Sequence, residues 1–349
     1  MKNSELTQFL GKEDISISYA MKAIDDNASG ILFLVNNEMK LLGCITDGDI
    51  RRFLLAGGRM DDDAIKAANT NPKAARSLDD AKGIYHKKNY VAIPVVDEKN
   101  IVIDIYNGDG IIYREHNPLN VPVVINAGGK GTRLEPFTKV LPKPLIPVGD
   151  LPILELIMKE YQSYNCNDFH IIVNYKRELM KAYFAENEND YKITWYDEDK
   201  PLGTGGGLSL LKGVFDSTFF FANCDALLTA NYERMLQFHK ENGNAITMIC
   251  AYKNLTIPYG IVEMGLNGSI EKMKEKPIMS FLTNTGIYIV EPEVVFDVED
   301  EVPIGFPDII EMERTKGNKV AVFPVGESEW MDMGQLSELE KMRIKLCGE

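Results

Sequence analysis

The residues best suited to chemistry lie in a glycine-rich segment at 127–133 that also carries positive charge. Glycines let backbone N–H groups approach an anion closely, because no Cβ stands in the way. Lys130 and Arg133 lie within the segment and Lys143 follows shortly after it, so cationic side chains accompany the backbone donors. This combination favours the binding of phosphate groups. The residues expected to surround a phosphate are Ala127, Gly128, Gly129, Gly131 and Thr132.

Two familiar phosphate-binding loops do not fit this segment. A P-loop requires G-x-x-x-x-G-K-[ST], but Gly131 stands where the hydroxyl residue should follow Lys130. A dinucleotide-binding fingerprint requires G-x-G-x-x-G, but Leu134 takes the place of the third glycine after Gly129 and Gly131. The segment therefore indicates phosphate binding of another kind.

The elements around this segment must hold it in place. An apolar, β-branched run at 121–125 predicts a buried parallel strand that leads directly into the glycines. From there, strand and helix patterns alternate along the chain, which predicts βαβ units and a mostly parallel, Rossmann-like sheet with helices on both faces. Ligands of such α/β sheets bind beyond the carboxyl ends of the strands, where the glycines are predicted to lie.

Residues 1–118 contain a weak internal repeat. The segments 31–50 and 90–111 each read as a strand, a polar turn, a second strand and a Gly-Asp pair that opens a helix, and a helical segment precedes each hairpin. This arrangement resembles a tandem pair of cystathionine β-synthase (CBS) domains, which commonly bind adenine nucleotides. The resemblance implies an α+β regulatory or dimerising CBS pair at 1–118, followed by a catalytic α/β domain at 119–349.

The CBS resemblance also points to individual residues. In that family, a Thr or Ser and an Asp three residues later contact the phosphate and ribose of the nucleotide. Thr46 and Asp49 match this pattern in the first repeat, whereas in the second repeat Asp109 is present but Tyr106 replaces the hydroxyl residue. The resemblance therefore implies one adenine-nucleotide site at Thr46 and Asp49. A module that only dimerises is the alternative.

The pattern GGKGTRLEPFT at 128–138, followed by LPKPLIPV at 141–148, resembles the signature of the sugar-1-phosphate nucleotidylyltransferases. In the reaction that this implies, a sugar-1-phosphate oxygen attacks the α-phosphorus of a nucleoside triphosphate and pyrophosphate leaves. A phosphate monoester is already an anion near neutral pH, because its second pKa is about 6. The reaction then requires charge neutralisation and positioning rather than a nucleophilic side chain. The sequence accordingly offers no Ser-His-Asp or Cys-His arrangement.

The same resemblance assigns roles to residues along the second part of the chain. Arg133 is expected to steady the triphosphate, Lys143 to approach the α-phosphate, and Lys276 in the motif EKP to bind the sugar phosphate. Asp225 at the end of an apolar run and Asp332 in WMDMG resemble the two Mg²⁺ ligands, since Mg²⁺ needs few carboxylates when substrate phosphates supply the rest. The other matched positions are Leu202, Gly203 and Thr204 beside the nucleobase, and Gly260, Glu275 and Asn284 beside the sugar.

Glu198 indicates which nucleobase is bound. It precedes Gly203 at a position where uridylyl- and thymidylyl-transferring relatives tend to carry Gln. A carboxylate only accepts hydrogen bonds, and guanine offers it two adjacent donors, whereas uracil and thymine offer one N–H between two carbonyls. An unpaired buried group costs about 1–3 kcal/mol, enough to set a preference. GTP is therefore favoured, with UTP, CTP and dTTP as alternatives, and Asp197 and Asp199 compete with Glu198 for this role.

The composition limits the partners and the location. A net charge of −14 argues against a nucleic-acid partner, which would need a basic face. The sequence contains neither an apolar run near the ~20 residues of a membrane helix nor an N-terminal hydrophobic signal core. The five cysteines are scattered and odd in number, which favours the reducing cytoplasm. A homodimer or higher homo-oligomer is expected.

The sequence allows more than one sugar and one rival function. In the nucleotidylyltransferase family that the sequence resembles, members fused to CBS domains are often linked to guanylyl transfer onto glucosamine-1-phosphate for cell-surface glycans. This sugar is therefore expected, with mannose- and heptose-1-phosphate as alternatives. The rival hypothesis is a non-catalytic subunit that senses nucleotides and nucleotide sugars. The joint presence of Arg133, Lys143, Asp225, Lys276 and Asp332 speaks against it, because a dead copy usually loses a metal ligand or a phosphate-binding cation.

Overall fold

The protein divides into two compact units in a computed structural model. The first unit contains residues 1–114, 252–282 and 325–328, and the second contains 115–251, 283–324 and 329–349. The chain thus leaves the second unit twice and returns to it. The residues that the structure describes are 6–27, 29–85, 90–107, 117–185 and 190–347.

The helices follow the amphipathic segments of the sequence. Helix α1 precedes the first hairpin, as expected, and α5 and α6 alternate with strands in the second part of the chain. Within the described residues, the helices are α1 (Ile17–Asp26), α2 (Asp47–Leu55), α3 (Leu78–Tyr85), α4 (Phe137–Val140), α5 (Ile153–Gln162), α6 (Arg177–Ala185), α7 (Tyr232–Asn242), α8 (Pro292–Asp297), α9 (Phe306–Thr315) and α10 (Leu336–Cys347).

The strands follow the apolar and β-branched runs. Within the described residues, they are β1 (Leu10–Lys12), β2 (Ile31–Val35), β3 (Leu41–Thr46), β4 (Ile93–Val96), β5 (Val102–Tyr106), β6 (Val123–Asn126), β7 (Pro147–Val148), β8 (Leu151–Pro152), β9 (Asp168–Val173), β10 (Lys192–Asp197), β11 (Phe219–Asn223), β12 (Ala226–Leu228), β13 (Ile246–Thr256), β14 (Ile261–Met264), β15 (Ile270–Lys274), β16 (Ile278–Val290), β17 (Val320–Val325) and β18 (Trp330–Asp332).

A seven-stranded sheet forms the centre of the second unit, in the order β10-β9-β6-β11-β16-β13-β17. The pairs β10/β9, β9/β6 and β6/β11 are parallel, and β16 joins β11 in antiparallel fashion. The predicted mostly parallel sheet is therefore confirmed. Nearly all residues of β6, β9 and β11 are buried, as expected of strands that are covered on both faces. Tyr288 and Phe306 stack within the core with ring centroids 3.7 Å apart.

The register of two neighbouring strands fixes where the loops leave the sheet. Asn126, the last residue of β6, lies opposite Asn223, the last residue of β11. The glycine segment after β6 and the Cys224-Asp225 pair after β11 therefore start side by side at the carboxyl edge. This is the edge at which α/β sheets bind ligands.

The first unit contains the two predicted hairpins. Strands β1, β2 and β3 form one small sheet and β4 pairs with β5, with α1 and α3 preceding the respective hairpins. Helix α2 follows the first hairpin, as the Gly48-Asp49 pair predicts, whereas the second pair, Gly108-Asp109, lies outside the described residues. The segment 252–282 adds a further hairpin, β14–β15.

Two other features bear on the expectations from composition. In the part of the chain that the structure describes, no helix has both the length and the apolar character needed to cross a lipid bilayer. Cys44, Cys166, Cys224 and Cys250 are buried free thiols.

Candidate active site

A cavity of about 370 Å³ opens at the carboxyl edge of the sheet in the second unit. Its walls come from the glycine segment, from the loop after β10, and from the residues that follow β11. The structure thus brings together eleven of the residues singled out from the sequence, which are Gly128, Gly129, Gly131, Thr132, Arg133, Lys143, Glu198, Leu202, Gly203, Thr204 and Asp225. Ala127 is buried beside them, and its N–H binds the carbonyl of Ile172 at 2.8 Å.

The glycine segment packs directly on the aliphatic stem of Lys143. Gly131 has a φ of +65°, and a Cβ at this position would lie 2.9 Å from both Lys143 Cβ and Thr138 Cγ2. Only glycine tolerates this conformation and this approach together. The chain then makes one 3₁₀ turn over Thr132–Leu134, which leaves the exposed Arg133 on the cavity wall.

Four charged side chains interact at one side of the cavity. Lys143 forms an ion pair with Asp225, and both side chains are largely buried, at 12% and 15% exposure. Asp332 lies close by, because its strand β18 pairs with β12 so that Asp332 is opposite Ala226. Burial and the charge of Asp225 raise the pKa of Asp332, while Lys143 and Arg133 act in the opposite direction. Two carboxylates and two cations therefore share one electrostatic environment.

The carboxylate pair fits a divalent cation. Asp225 and Asp332 repel each other in a poorly solvated site, and a Mg²⁺ ion between them would relieve that repulsion. Within the described residues, no group of three or more histidine, cysteine or acidic side chains is arranged to hold a metal ion. Two aspartates nevertheless suit Mg²⁺, because it takes its remaining ligands from water and substrate phosphates. Such an ion would neutralise phosphate charge in the cavity.

Glu198 lies at the other side of the cavity, held between two glycines. It is only 3% exposed, and a Cβ on Gly128 or on Gly207 would lie 2.7 Å or 2.9 Å from one of its carboxylate oxygens. Burial raises the pKa of Glu198 to about 7, and a hydrogen bond from the backbone N–H of Leu202 partly offsets this. Its Oε1 has no hydrogen-bond partner. The side chain is thus a buried acceptor without a full set of donors.

The structure distinguishes Glu198 from its two acidic neighbours. Asp197 is exposed and pairs with Lys181 at 2.7 Å, and Asp199 is exposed as well. Of these three residues, it is Glu198 that lines the cavity.

The residues matched to sugar binding are distributed over both units. Gly260 and Glu275 lie in the first unit at the base of the β14–β15 hairpin, where a Cβ on Gly260 would come within 2.8 Å of Glu275 Oε2. Lys276 follows them with a φ of +41°. Asn284 belongs to the second unit, where its amide donates to the Tyr288 hydroxyl at 2.7 Å and its oxygen accepts the N–H of Gly286 at 2.9 Å. The structure brings Gly260 and Glu275 together, and the described cavity is built without them.

Thr46 and Asp49 cap the start of α2. The Thr46 N–H and hydroxyl both donate to the Asp49 carboxylate, at 3.0 Å and 2.7 Å, and the Asp49 N–H donates to the Thr46 hydroxyl at 3.3 Å. Arg52 pairs with the second carboxylate oxygen. Both residues therefore have a structural role, and a nucleotide site here stays a prediction. Asp109 lies outside the described residues.

Comparison with known proteins identifies the family of this chain. The sequence model described as "Nucleotidyl transferase" matches residues 122–348, which is more than half of the chain. The chain belongs to the nucleotidyl transferase family. A second sequence model, described as "CBS domain", matches residues 12–56. Both resemblances drawn from the sequence are thereby confirmed, the CBS one for the first repeat.

Similar proteins include mannose-1-phosphate guanyltransferases from fungi. The relative from Candida albicans is 32% identical over 232 residues, which cover 61% of this chain and 60% of the relative. The relative from Saccharomyces cerevisiae is 31% identical over 232 residues, which cover 61% of each chain. This chain therefore matches about 60% of the length of these relatives.

Solved structures share the nucleotidyl transferase fold. HddC from Yersinia pseudotuberculosis superposes with a TM-score of 0.52 at 21% identity, covering 64% of this chain and 99% of HddC. A structure of HddC complexed with GMP-PN gives a TM-score of 0.50 at 20% identity, covering 64% and 99%. The predicted fold of the second part of the chain is confirmed.

Six residues of the cavity were not anticipated from the sequence. The amide of Asn126 donates to the carbonyls of Gly203 and Thr204 at 3.3 Å and 3.2 Å, and its oxygen accepts the N–H of Gly128 at 3.4 Å. Asn126 thus joins the glycine segment to the loop after β10. A polar residue that ends an apolar strand at the carboxyl edge was the available signal. The full set is Asn126, Leu134, Pro201, Asn223, Cys224 and Gly334.

The residues after β9 contact the glycine segment and the stretch of chain that follows it. The Tyr175 N–H donates to the carbonyl of Gly128 at 3.4 Å. The Lys176 ammonium donates to the carbonyls of Thr138, Lys139 and Val140, at 3.3 Å, 2.6 Å and 2.8 Å. These contacts close the short helix α4, which connects the glycines to Lys143. Lys176 therefore fixes the path of the chain between the glycine segment and Lys143.

Proposed function

We propose that this protein transfers a guanylyl group from GTP to a sugar-1-phosphate and releases pyrophosphate. The observation that carries the proposal is one cavity with a phosphate-binding loop, the Lys143–Asp225 pair and the buried acceptor Glu198 in its walls. Relatives named mannose-1-phosphate guanyltransferases, and a related fold solved with GMP-PN, support this choice of reaction and base.

The side chains in the cavity supply charge compensation. Lys143 and Arg133 face two substrates that both carry negative phosphate groups, and the glycine amides add further donors. A Mg²⁺ ion held by Asp225 and Asp332 would neutralise additional phosphate charge and help to align the triphosphate. The sugar phosphate attacks as an anion, so the cavity requires no general base. In this proposal, catalysis consists of bringing two polyanions together in line.

Glu198 is proposed to select guanine. As a carboxylate, it accepts hydrogen bonds from the N1–H and the exocyclic amine of guanine, which satisfies the acceptor that has no partner in the free protein. The packing of Gly128 and Gly207 against its oxygens prevents it from turning away. A pyrimidine presents carbonyl oxygens to the same carboxylate and is therefore disfavoured.

The sugar-1-phosphate is proposed to contact Lys276, Glu275, Gly260 and Asn284, as the motif resemblance implies. Mannose-1-phosphate is the first candidate, because the similar fungal proteins are named for it. Glucosamine-1-phosphate is the second candidate. We further propose a catalytic domain at 119–349 and a regulatory CBS domain at 1–118, working in the cytoplasm.

A substrate matrix tests the proposed function. Purified protein with Mg²⁺ is mixed with each of GTP, UTP, CTP and dTTP against mannose-, glucosamine- and heptose-1-phosphate, and pyrophosphate release is measured. The expected result is release that requires both substrates and is fastest with GTP. Absence of release with every pair, together with tight binding of a nucleotide sugar, would instead support the sensor hypothesis.

The pH dependence of guanine-nucleotide binding is expected to follow the titration of Glu198. Because its pKa is about 7 in the free protein and guanine binds the ionised form, the dissociation constant should rise about tenfold per pH unit below pH 7 and level off above it. Calorimetric titration with GDP across this range provides the measurement. Glu198→Gln, which cannot ionise, should show only the shallower dependence of the phosphate groups. Parallel profiles for the two proteins would contradict the assignment.

Replacing Lys176 with methionine is expected to lower kcat/KM for GTP by about ten- to a hundredfold, because the loop that carries the phosphate donors loses its anchor. Lys176→Arg should retain most of the activity, since a guanidinium can still donate to the same carbonyls. Steady-state kinetics with varied GTP provide the measurement. Lys181→Met is the matched control, because Lys181 pairs with the exposed Asp197 in the same region. If the two methionine variants behave alike, Lys176 has no positioning role.

An adenine nucleotide is proposed to bind at Thr46 and Asp49. AMP should then raise the melting temperature of the wild type, because a ligand that binds only the folded state stabilises it. Asp49→Asn keeps an acceptor for the Thr46 N–H but removes the charge, so the AMP-dependent shift should disappear. Asp61→Asn, at an exposed carboxylate, is the control. If millimolar AMP leaves the wild type unchanged, the CBS module acts without this ligand.

A further inference from the structure

Asn174 and Glu198 follow two neighbouring strands that end at the same level. Strands β9 and β10 are parallel, and Val173, the last residue of β9, lies opposite Asp197, the last residue of β10. The Glu198 N–H donates to the Val173 carbonyl at 2.8 Å, so the two chains remain bonded one step beyond the strand ends. The loops that begin with Asn174 and Glu198 therefore start side by side at the carboxyl edge of the sheet.

The Asn174 side chain bonds the Glu198 backbone where the pairing of the strands stops. Its Nδ2 donates to the Glu198 carbonyl oxygen at 2.8 Å, a distance typical of a good N–H···O hydrogen bond. Arg177 Nη1 is a second and longer donor to the same oxygen, at 3.4 Å. Both backbone groups of Glu198 are thus bonded to the chain at and after the end of β9. These bonds hold the backbone from which the Glu198 side chain leaves.

Asn174 also lies against the glycine segment. A Cβ on Gly128 would lie 3.3 Å from Asn174 Cβ and 2.7 Å from Glu198 Oε2. The N–H of the next residue, Tyr175, donates to the Gly128 carbonyl at 3.4 Å. Gly128 and Glu198 line the described cavity, whereas Asn174 is not among the lining residues. Asn174 therefore contacts two walls of the cavity from outside it.

The recognition proposed for guanine depends on the direction of the Glu198 carboxylate. Two adjacent donors of a base are satisfied together only when both carboxylate oxygens face them, because a hydrogen bond weakens steeply as its angle departs from linearity. In the free protein, Glu198 Oε1 has no hydrogen-bond partner, so no bond to that oxygen sets its direction. The direction then depends on the packing of the side chain and on the backbone that carries it.

We propose that Asn174 is a positioning residue for base selection, which holds the Glu198 backbone so that the carboxylate faces the guanine base. This inference rests on the proposed function. Because Asn174 lies outside the cavity lining, its loss should weaken the binding of guanine nucleotides rather than slow the chemical step. In Asn174→Ala, the KM for GTP should rise about tenfold, while kcat should change by less than about threefold. The KM for UTP should change by less than about twofold, since uracil gains nothing from this orientation.

Steady-state kinetics with GTP and with UTP provide the measurement. Asn174→Asp keeps the size of the side chain but cannot donate to the Glu198 carbonyl, so it should raise the KM for GTP as Asn174→Ala does. If only the alanine variant is affected, packing rather than the hydrogen bond is responsible and the proposal is wrong. The matched control is Asn242→Ala, because Asn242 Nδ2 also donates to a backbone carbonyl at 2.8 Å, that of Phe238 in α7. This control should keep the preference for GTP over UTP within about twofold of the wild type.

A double variant separates positioning from a general structural role. In a Glu198→Gln background, Asn174→Ala should no longer change the ratio of kcat/KM for GTP to that for UTP, because residues that act through one contact have non-additive effects. An equal change in both backgrounds, or an equal loss for the two triphosphates, overturns the proposal. Asn174 is only partly buried, so its substitution is not expected to unfold the protein.

Calorimetric titration with GDP and UDP repeats the comparison without turnover. Absence of pyrophosphate release in the substrate matrix would refute guanylyl transfer, yet a loss of GDP affinity in Asn174→Ala with unchanged UDP affinity would still support the positioning role. Conversely, a wild type that turns over GTP and an Asn174→Ala variant with unaltered base preference would overturn the positioning role alone. A wild type that binds GDP and UDP equally well would overturn it together with the assignment of Glu198.

Discussion

Replacing Asp225 with asparagine is expected to lower the rate of pyrophosphate release at least about a thousandfold, equivalent to roughly 4 kcal/mol of transition-state stabilisation. Asparagine preserves the shape of the side chain but removes the charge that pairs with Lys143 and would hold Mg²⁺. The loss should persist at saturating GTP and should be relieved only in part by higher Mg²⁺ concentration. Stopped or coupled assays of pyrophosphate release provide the measurement.

The control for this substitution lies at the other end of strand β11. Asp216 is an exposed residue that precedes β11, whereas Asp225 follows it at the carboxyl edge, so Asp216→Asn should leave the rate within about twofold. Asp332→Asn should resemble Asp225→Asn, because the two carboxylates share one electrostatic environment. If Asp225→Asn retains more than about a tenth of the wild-type rate, this carboxylate does not hold the catalytic metal ion.

Replacing Glu198 with glutamine is expected to lower kcat/KM for GTP by about a hundredfold and to raise that for UTP, so that the preference between the two bases is reduced or reversed. A glutamine amide cannot accept two hydrogen bonds from guanine at one edge, but it can donate one to a pyrimidine carbonyl. Because Glu198 is buried and its oxygens lie against Gly128 and Gly207, the substituted side chain should stay in place.

The neighbouring residue provides the comparison for Glu198. Asp197→Asn removes a charge at the adjacent position, but Asp197 is exposed and paired with Lys181, so the ratio of GTP to UTP use should change by less than about twofold. Competition experiments with both triphosphates in one mixture give this ratio directly. A larger change in the Asp197 variant than in the Glu198 variant would show that Glu198 is not the residue that selects the base.

The part of the site proposed to bind phosphate could be predicted from the sequence because that part is local. Gly128, Gly131 and Lys143 lie on one short stretch of chain, and the glycine pattern already limits the backbone conformations available to it. The parallel sheet could be predicted for a similar reason, since fully apolar strands such as β6 and β11 are typical of a core covered on both faces.

Features that depend on tertiary contacts could not be predicted in this way. The sequence left Asp197, Glu198 and Asp199 as alternatives, and the structure distinguishes them because β10 ends so that Glu198 turns inwards under Gly128. The anchoring role of Lys176 depends on carbonyls that are 36 to 38 residues away along the chain. No local sequence pattern predicts such a contact.

The first unit shows a different limit of sequence reasoning. Thr46 and Asp49 match a nucleotide-binding pattern, but the same spacing is that of a helix capping box, and the structure uses it as one. A Thr and an Asp three residues apart therefore indicate two functions equally well. The AMP-dependent shift in melting temperature separates the two.

The ion pair between Lys143 and Asp225 also bears on how the protein would let its products go. In the proposed reaction, an incoming phosphate would compete with the aspartate for the ammonium, which would weaken the hold on every phosphorylated ligand. When pyrophosphate departed, the aspartate could pair with the lysine again, so the emptied cavity would not retain an uncompensated positive charge. A built-in counterion of this kind would favour rapid turnover over tight product retention.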